Sequence, residues 1–341
     1  MPTKTQQHNN RVVLTAPLAG APSPEDFKTI SEPMPEPDNG EMLIRHIYLS
    51  LDPYQRSMIA GRHGAAGPLG EGEMPNGEVV GQVVQSRHPD FADGDYVRHF
   101  GGWQEYSVSD GTQTFTVDPG RAPLSTYVGV LGMPGLTAYA SMIELADVQA
   151  GQTVLVSAAH GPVGSMVGQI AMQKGARAIG IAGSDEKCQL VVDELGFSAC
   201  INYKDKHYPG SLEDALPDGA DIYHDNVGGN MLADALSVLK NYGTVILCVL
   251  ISQYNDPSQA VGLNLASVIL KRAVLKGLVV YDFEDRRQEF LDMIAPWVRD
   301  GTIKYLEDRV DGLELAGSQF TRLMSGQNVG KALVVVGSET I

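Results

Sequence analysis

The sequence predicts an α/β protein of two domains, one mostly β and one built on a doubly wound parallel sheet. Three observations predict it. A chain of 341 residues is long enough for about two domains, each with its own core. Residues 1–125 carry short alternating runs, Met42–Leu49, Val79–Gln85 and Asp95–Arg98, with Gly and Pro clusters between them; this is the pattern of a compact β domain. From about Val128, short apolar runs alternate with helical stretches, as βαβ units around a buried parallel sheet require.

Taken in order, Pro33, Pro35 and Pro37 make a stiff extended connector, because each ring fixes φ and removes an N–H donor. Val154–Ser157 is a short apolar strand. Val163–Lys174 is a helix with Val163, Val167, Ile170 and Ala171 on one face. Ala178–Ala182 reads as a strand, Asp185–Leu195 as a helix, Ala199–Asn202 as a third strand and Ile222–His224 as a fourth. Met231–Leu239 is a helix and Thr244–Val249 a further strand. Near the end, Gly312–Ser325 reads as a helix and Ala332–Val336 as a strand that returns to the first domain, since chain termini often lie close together. The expected division is 1–126 with 302–341 for the first domain and 127–301 for the second.

Composition excludes several classes. With 25 Lys and Arg against 41 Asp and Glu, the formal charge is −16. Sequence-independent binding to nucleic acid or to an anionic membrane needs a basic footprint, which this chain lacks. The longest apolar run, near Val245–Ile251, is far short of the roughly 18 residues of a membrane span. Met1–Arg11 is polar, without the apolar core of a secretory signal, so the expected location is cytoplasmic. Three cysteines, Cys188, Cys200 and Cys248, make no disulfide framework and no Cys-x-x-Cys pair; they read as reduced and buried.

The segment Ser157-Ala158-Ala159-His160-Gly161-Pro162-Val163-Gly164 follows a strand and opens a helix. Read as a dinucleotide fingerprint it is Ala159-x-Gly161-x-x-Gly164, with Ala in the first glycine's place; the plainer alternative is an ordinary strand-to-helix turn, and the strand before, the helix after and the second strand near Ala182 favour the cofactor reading. Gly161 lets the backbone approach a pyrophosphate, and Gly164 lets the helix pack close on the sheet. The helix N-terminus offers N–H groups and a positive dipole end to the phosphates. At the tip of the second strand, an NAD enzyme usually places Asp or Glu for the ribose 2′-hydroxyl. This chain has Gly183, then Ser184, with Lys187 in the first helical turn and Asp185 close by. Space, a hydroxyl and a cation suit a 2′-phosphate, hence NADP(H). The plainer alternative makes Ser184 a helix N-cap and Lys187 a solvated lysine.

No metal-binding spacing of His, Cys, Asp or Glu occurs, and no Gly-x-Ser-x-Gly elbow. Polarisation of a carbonyl then falls to hydroxyls, the cofactor or backbone amides.

Four stretches carry a family resemblance: Leu49-Ser50-Leu51-Asp52-Pro53-Tyr54, Leu131-Gly132-Met133-Pro134-Gly135-Leu136-Thr137-Ala138-Tyr139, Asp225-Asn226-Val227-Gly228-Gly229, and Gly326-Gln327-Asn328-Val329-Gly330-Lys331. In that order they resemble the medium-chain dehydrogenase/reductase superfamily, in its zinc-free branch of prostaglandin, alkenal and curcumin reductases. Gly77, in Asn76-Gly77-Glu78, stands where the zinc relatives hold a metal-binding His. The resemblance implies a GroES-like catalytic domain completed by the C-terminal tail, and a Rossmann domain between. It implies that Lys187 and Tyr203, joined by Ser184, meet the 2′-phosphate. It also implies that Met133, Pro134, Thr137 and Asn328 line the cofactor, with Asn226 and Cys248 completing the set. A homodimer is implied too, with Val274–Val280 as the edge strand concerned; the alternative is an edge protected within a monomer.

Such enzymes reduce a carbon–carbon double bond conjugated to a carbonyl, so the implied partner is a small α,β-unsaturated carbonyl compound. Hydride attacks the β-carbon and charge builds on the carbonyl oxygen; one well-aimed neutral donor there is worth about 3–4 kcal/mol. A Tyr hydroxyl donates without charge at neutral pH. Tyr254 follows a strand's C-terminal end, where ligands of such sheets bind, and resembles the enol-stabilising tyrosine of the family; the plainer alternative is a loop tyrosine capping the core. Tyr54 resembles a pocket-wall tyrosine; taken alone it reads equally as packing. His63, in the Gly-rich Gly61–Gly72 stretch, reads as a solvated loop histidine, the alternative being one that faces substrate. Two other readings keep the cofactor: a quinone reductase, and a non-catalytic NADPH-binding sensor or structural protein.

Overall fold

The computed structural model of the chain describes residues 8–62, 67–259, 262 and 265–339; His63 lies outside them. The chain divides into two compact units, residues 1–129 with 307–341, and residues 130–306. The second boundary falls at Leu306 because both backbone groups of Lys304 are bonded, at 2.8 Å each, to the side-chain amide of Gln169.

The first unit is mostly β. Strand β1 (His8–Leu14) pairs antiparallel with β2 (Phe27–Pro33). The prolines after β2 support no helix, as their missing N–H groups dictate. Then come β3 (Met42–Ser50), helix α1 (Tyr54–Ile59), β4 (Glu78–Ser86), β5 (Tyr96–Phe100), β6 (Tyr106–Ser109) and β7 (Phe115–Thr116). Buried Trp103 anchors part of the core, stacked on Phe27 and edge-on to Phe320, each with ring centroids 5.4 Å apart.

The second unit begins with α2 (Met133–Tyr139), which runs into a π-helical turn, Ala140–Leu145. Gly135 is required there: a Cβ would overlap the Val130 carbonyl and crowd Phe290. Alternation follows: β8 (Thr153–Ser157), α3 (Pro162–Gln173), β9 (Arg177–Ala182), α4 (Asp185–Asp193), β10 (Ala199–Asn202), α5 (Gly210–Ala215), β11 (Ala220–Asp225), α6 (Gly229–Ser237), β12 (Leu239–Leu247), α7 (Leu265–Lys271), β13 (Val274–Gly277) and α8 (Arg287–Arg299). All six strands are parallel, in the order β10-β9-β8-β11-β12-β13.

The chain then returns to the first unit through β14 (Glu307–Asp311), α9 (Ala316–Met324) and β15 (Lys331–Val335). Strand β15 sits between β14 and β3.

Several expected elements differ. Helix α3 is buried on nearly every side, from Gly164 to Ala171, rather than along one face; Gln169 is tolerated because its amide is bonded as above. Strand β12 starts at Leu239, where a helix end was expected, because its first residue pairs with Ala220 before the register shifts and Tyr242 takes φ +66°. It ends at Leu247, since the N–H groups of Cys248 and Val249 both turn to the Asp225 carbonyl, at 3.0 and 3.2 Å. Strand β13 stops at Gly277 and gives way to a 3₁₀ stretch, Val280–Arg286. The helix expected from Gly312 begins at Ala316, after a 3₁₀ turn that Gly312 enters at φ +108°. The three thiols are free, but only Cys188 is buried; Cys200 and Cys248 are partly exposed. Among the described residues, no helix is long and apolar enough to cross a membrane.

Candidate functional site

Ser157 ends β8 and Asp225 ends β11. From these two neighbouring strands the sheet order departs in opposite directions, and ligands of open parallel sheets bind at that point. The turn after β8 is tight. Ala158 takes φ +50°, rare for an L residue, and a Cβ on Gly164 would overlap the Ala158 carbonyl. Gly164 therefore lets α3 begin against the turn. Gly161 is the N-cap, Pro162 occupies the first position where no N–H is needed, and no side chain caps the helix. The N–H end of α3, including Val163, is left for an anion. Ala159 is buried, its N–H bonded to the Ile181 carbonyl at 3.1 Å.

At the tip of β9, a Cβ on Gly183 would sit 3.1 Å from the Tyr203 ring, which covers it. Ser184 caps α4, its Oγ accepting from the Lys187 N–H at 3.3 Å. Lys187 is not a solvated lysine: it is half-buried, and its Nζ lies 3.1 Å from Nε2 of His160. Gly183, Ser184, Lys187 and Tyr203 thus form one cluster, and Lys187 ties it to the turn.

Asp225 is a hub. Its Oδ1 accepts from the Tyr223 hydroxyl (2.9 Å), the Ser157 hydroxyl (3.3 Å) and the N–H groups of Val227 (3.0 Å) and Gly228 (2.9 Å). Asn226 donates its N–H to Ser157 Oγ and its Nδ2 to the Ser157 carbonyl, both at 2.8 Å. Three buried polar atoms here have no hydrogen-bond partner among the described residues: His160 Nδ1, Asp225 Oδ2 and Asn226 Oδ1. Unused donors and acceptors around an uncapped helix fit a bound dinucleotide.

Met133 and Pro134 open α2; Thr137 Oγ1 donates to the Met133 carbonyl at 2.8 Å. Ser141 donates to the Thr137 carbonyl at 2.7 Å and lies 2.9 Å from Nε2 of buried His224, so α2 is tied to β11. Burial holds His224 near a pKa of about 3, hence neutral. Burial, then the Asp225 charge, pushes the Cys248 thiol up to about 12. Tyr254 follows the 3₁₀ turn Ile251–Gln253, half-buried; burial, then neighbouring Cys248, raises its hydroxyl above the ordinary tyrosine value.

Two expected residues belong to the first unit. Tyr54 opens α1. Asn328 is buried, its Nδ2 donating to the Gly330 carbonyl at 2.8 Å. In that unit a Cβ on Gly77 would lie 2.8 Å from Leu49 Cδ1, 3.0 Å from Gln55 Nε2 and 3.2 Å from Trp103 Cδ1. Packed side chains fill the space a histidine would take. Among the described residues, no group of three or more His, Cys, Asp or Glu is placed to hold a metal ion.

The sequence reading left out Asp225 as an acceptor and His160 as a partner of Lys187. Asp225 had a local signal, a carboxylate two and three residues before the N–H groups of an Asn-x-Gly-Gly turn. His160 had none beyond its place in the loop.

The two units and this turn define a two-domain oxidoreductase fold. A family profile described as the N-terminal domain of oxidoreductase matches residues 10–117, and one described as zinc-binding dehydrogenase matches residues 162–296. The chain is 37% identical to the NADPH-dependent curcumin reductase of Escherichia coli, over 98% of this chain and 99% of that protein. It is 39% identical to the NADP-dependent 2-alkenal reductase of Nicotiana tabacum, over 97% of this chain and 98% of the other. The crystal structure of CurA from Vibrio vulnificus in complex with NADPH superposes with a TM-score of 0.90 at 39% identity, over 96% of this chain and 99% of that one. The chain belongs to the medium-chain dehydrogenase/reductase family, in the branch that holds the curcumin and alkenal reductases.

Proposed function

We propose that this protein is an NADPH-dependent reductase of carbon–carbon double bonds conjugated to a ketone or aldehyde. The observation that carries the reading is the Lys187 ammonium, drawn back to within 3.1 Å of the phosphate-turn histidine beside Ser184 and the Tyr203-covered Gly183. Likeness over nearly the whole chain, at 37% and 39% identity, to relatives named for NADPH and for alkenal or curcumin reduction supports it.

Bound NADPH supplies the hydride. The chain does the rest. The N–H end of α3 and Lys187 hold the anionic groups of the dinucleotide, with Ala159, Gly161, Pro162, Val163 and Gly164 shaping the turn. Met133, Pro134, Thr137, Asn226, Cys248 and Asn328 line the cofactor. Tyr254 donates its hydroxyl hydrogen bond to the substrate's carbonyl oxygen as charge builds there. Its raised pKa keeps that proton in place at neutral pH, so the donor is ready without a change of state. Tyr54 forms part of the wall around the substrate.

The test is direct. The protein is mixed with NADPH and a panel of enones, enals and curcuminoids, and NADPH absorbance is followed. No consumption with any of them overturns the reading.

The protein works as a homodimer through β13, the outermost strand of its sheet. An unprotected edge with exposed Val274, Val279 and Tyr281 beside it supports this. Val279→Glu with Tyr281→Glu should give monomers by light scattering; an unchanged mass removes this edge from the interface. Three free thiols support a reducing compartment, the cytoplasm.

A further inference from the structure

The phosphate turn contains one titratable side chain, His160, and its two nitrogens have different surroundings. Nε2 lies 3.1 Å from Lys187 Nζ. A lysine ammonium has only donors, so Nε2 must accept and the ring proton must sit on Nδ1. The ring is neutral, because burial, then the Lys187 charge, holds its pKa near 3. That leaves Nδ1–H as a buried donor with no partner among the described residues. An unused buried donor is costly and asks for an acceptor. It belongs to the residue immediately before Gly161, the N-cap of a twelve-residue helix with no side-chain cap. An orphaned donor, an uncapped helix end and a cationic arm therefore meet at one turn, and an anion satisfies all three.

We propose that His160 is a two-handed cofactor residue: its Nδ1–H donates to a phosphate oxygen of NADP(H), while its Nε2 positions the Lys187 ammonium for the 2′-phosphate. The inference rests on the NADP(H) reading above and gives His160, there only the neighbour of Lys187, a phosphate contact of its own. It also makes the two phosphate contacts interdependent, because the imidazole is one of the contacts that position the Lys187 ammonium.

The test uses the whole protein and binding rather than turnover. NADP⁺ and NAD⁺ are titrated into wild type, His160→Ala, Lys187→Ala and the double variant by calorimetry, with melting of the free proteins as a check on folding. Loss of hydrogen bonds to a charged group should weaken NADP⁺ binding about 10- to 100-fold in His160→Ala. NAD⁺ should be weakened less, and the double variant should lose less than the product of the two single losses. Binding of NADP⁺ within twofold of wild type, or strictly multiplicative losses, overturns the proposal. If His160→Ala does not fold, nitrogen-15 spectra of labelled wild type decide. A protonated Nδ1 that shifts on adding NADP⁺ supports the proposal; a protonated Nε2, or an imidazole indifferent to NADP⁺, overturns it. Wild type that fails to bind NADP⁺ at all overturns the cofactor reading with it, whereas tight wild-type binding with a silent His160 removes this inference alone.

Discussion

Lys331 Nζ lies 2.5 Å from Oδ1 of Asp52, with both side chains buried. The ammonium also donates to the Leu51 carbonyl at 2.8 Å, and Ser50 donates its hydroxyl to the other carboxylate oxygen. The pair fastens the turn that leads into Tyr54 to the last strand of the chain. Lys331→Met leaves a buried carboxylate alone and should destabilise the fold by about 3–5 kcal/mol. Lys331→Met combined with Asp52→Asn should recover much of that loss in denaturant unfolding. A single variant as stable as wild type would show that the pair contributes little.

Tyr254→Phe removes the proposed donor and little else. It should lower kcat about 100- to 1000-fold with NADPH affinity nearly unchanged. Because the tyrosine's pKa is raised, any loss of wild-type kcat from this group should set in at a higher pH than for an ordinary tyrosine. Unchanged turnover in Tyr254→Phe removes the residue from the mechanism.

A Cβ on Gly168 would overlap the ring of Phe197, which is itself buried. Gly168→Ala should therefore cost about 1–3 kcal/mol by overpacking. Adding Phe197→Leu should return part of it, so the double variant melts above Gly168→Ala alone. Additive losses would mean that the ring does not set the limit.

Buried histidines set the acid limit. His46 is held near a pKa of about 3 by burial, then by His99; burial holds His99 near about 4 and His224 near about 3. Folded values below the unfolded value of about 6.5 mean that the unfolded chain takes up protons first. Their contribution is fully present above pH 6.5 and is lost as pH falls toward 4 and 3. Each histidine adds a slope of up to about 1.4 kcal/mol per pH unit in that window. His46 and His99 share the Ser107 hydroxyl, at 2.7 and 3.1 Å, so their protons are coupled. Denaturant unfolding from pH 7 to 4 should show the fall, and His224→Gln should make it shallower; a flat profile contradicts the assignment.

The central sheet was legible because its strands are short apolar runs closed by turn residues, and β8, β9 and β11 each bury such a run. Less of the periphery was legible. The β1–β2 ribbon mixes exposed and buried positions without strict alternation, and β14 carries Glu307, Asp308, Arg309 and Asp311. Within the site, the residues found were those whose signal is local: Gly161 and Gly164 in the turn, Ser184 and Lys187 at the next helix. Of those missed, Asp225 had a local signal and the others depend on distant pairing. His160 meets Lys187 across 27 positions and Asp52 meets Lys331 across 279, and no window along a sequence contains both partners.

Strand β3 pairs with β4 along one edge. On its other edge, Met42–Arg45 meet β6 and Tyr48–Ser50 meet β15. Half of that edge therefore stays open until Lys331–Val335 leave the ribosome. Residues 130–306 are contiguous and can close their own sheet earlier during synthesis. A chain stalled or truncated before Lys331 would present an unpaired, buried-type strand to its neighbours, a template for aggregation. The protein's vulnerability in the cell thus lies in the interval between making its first strands and making its last.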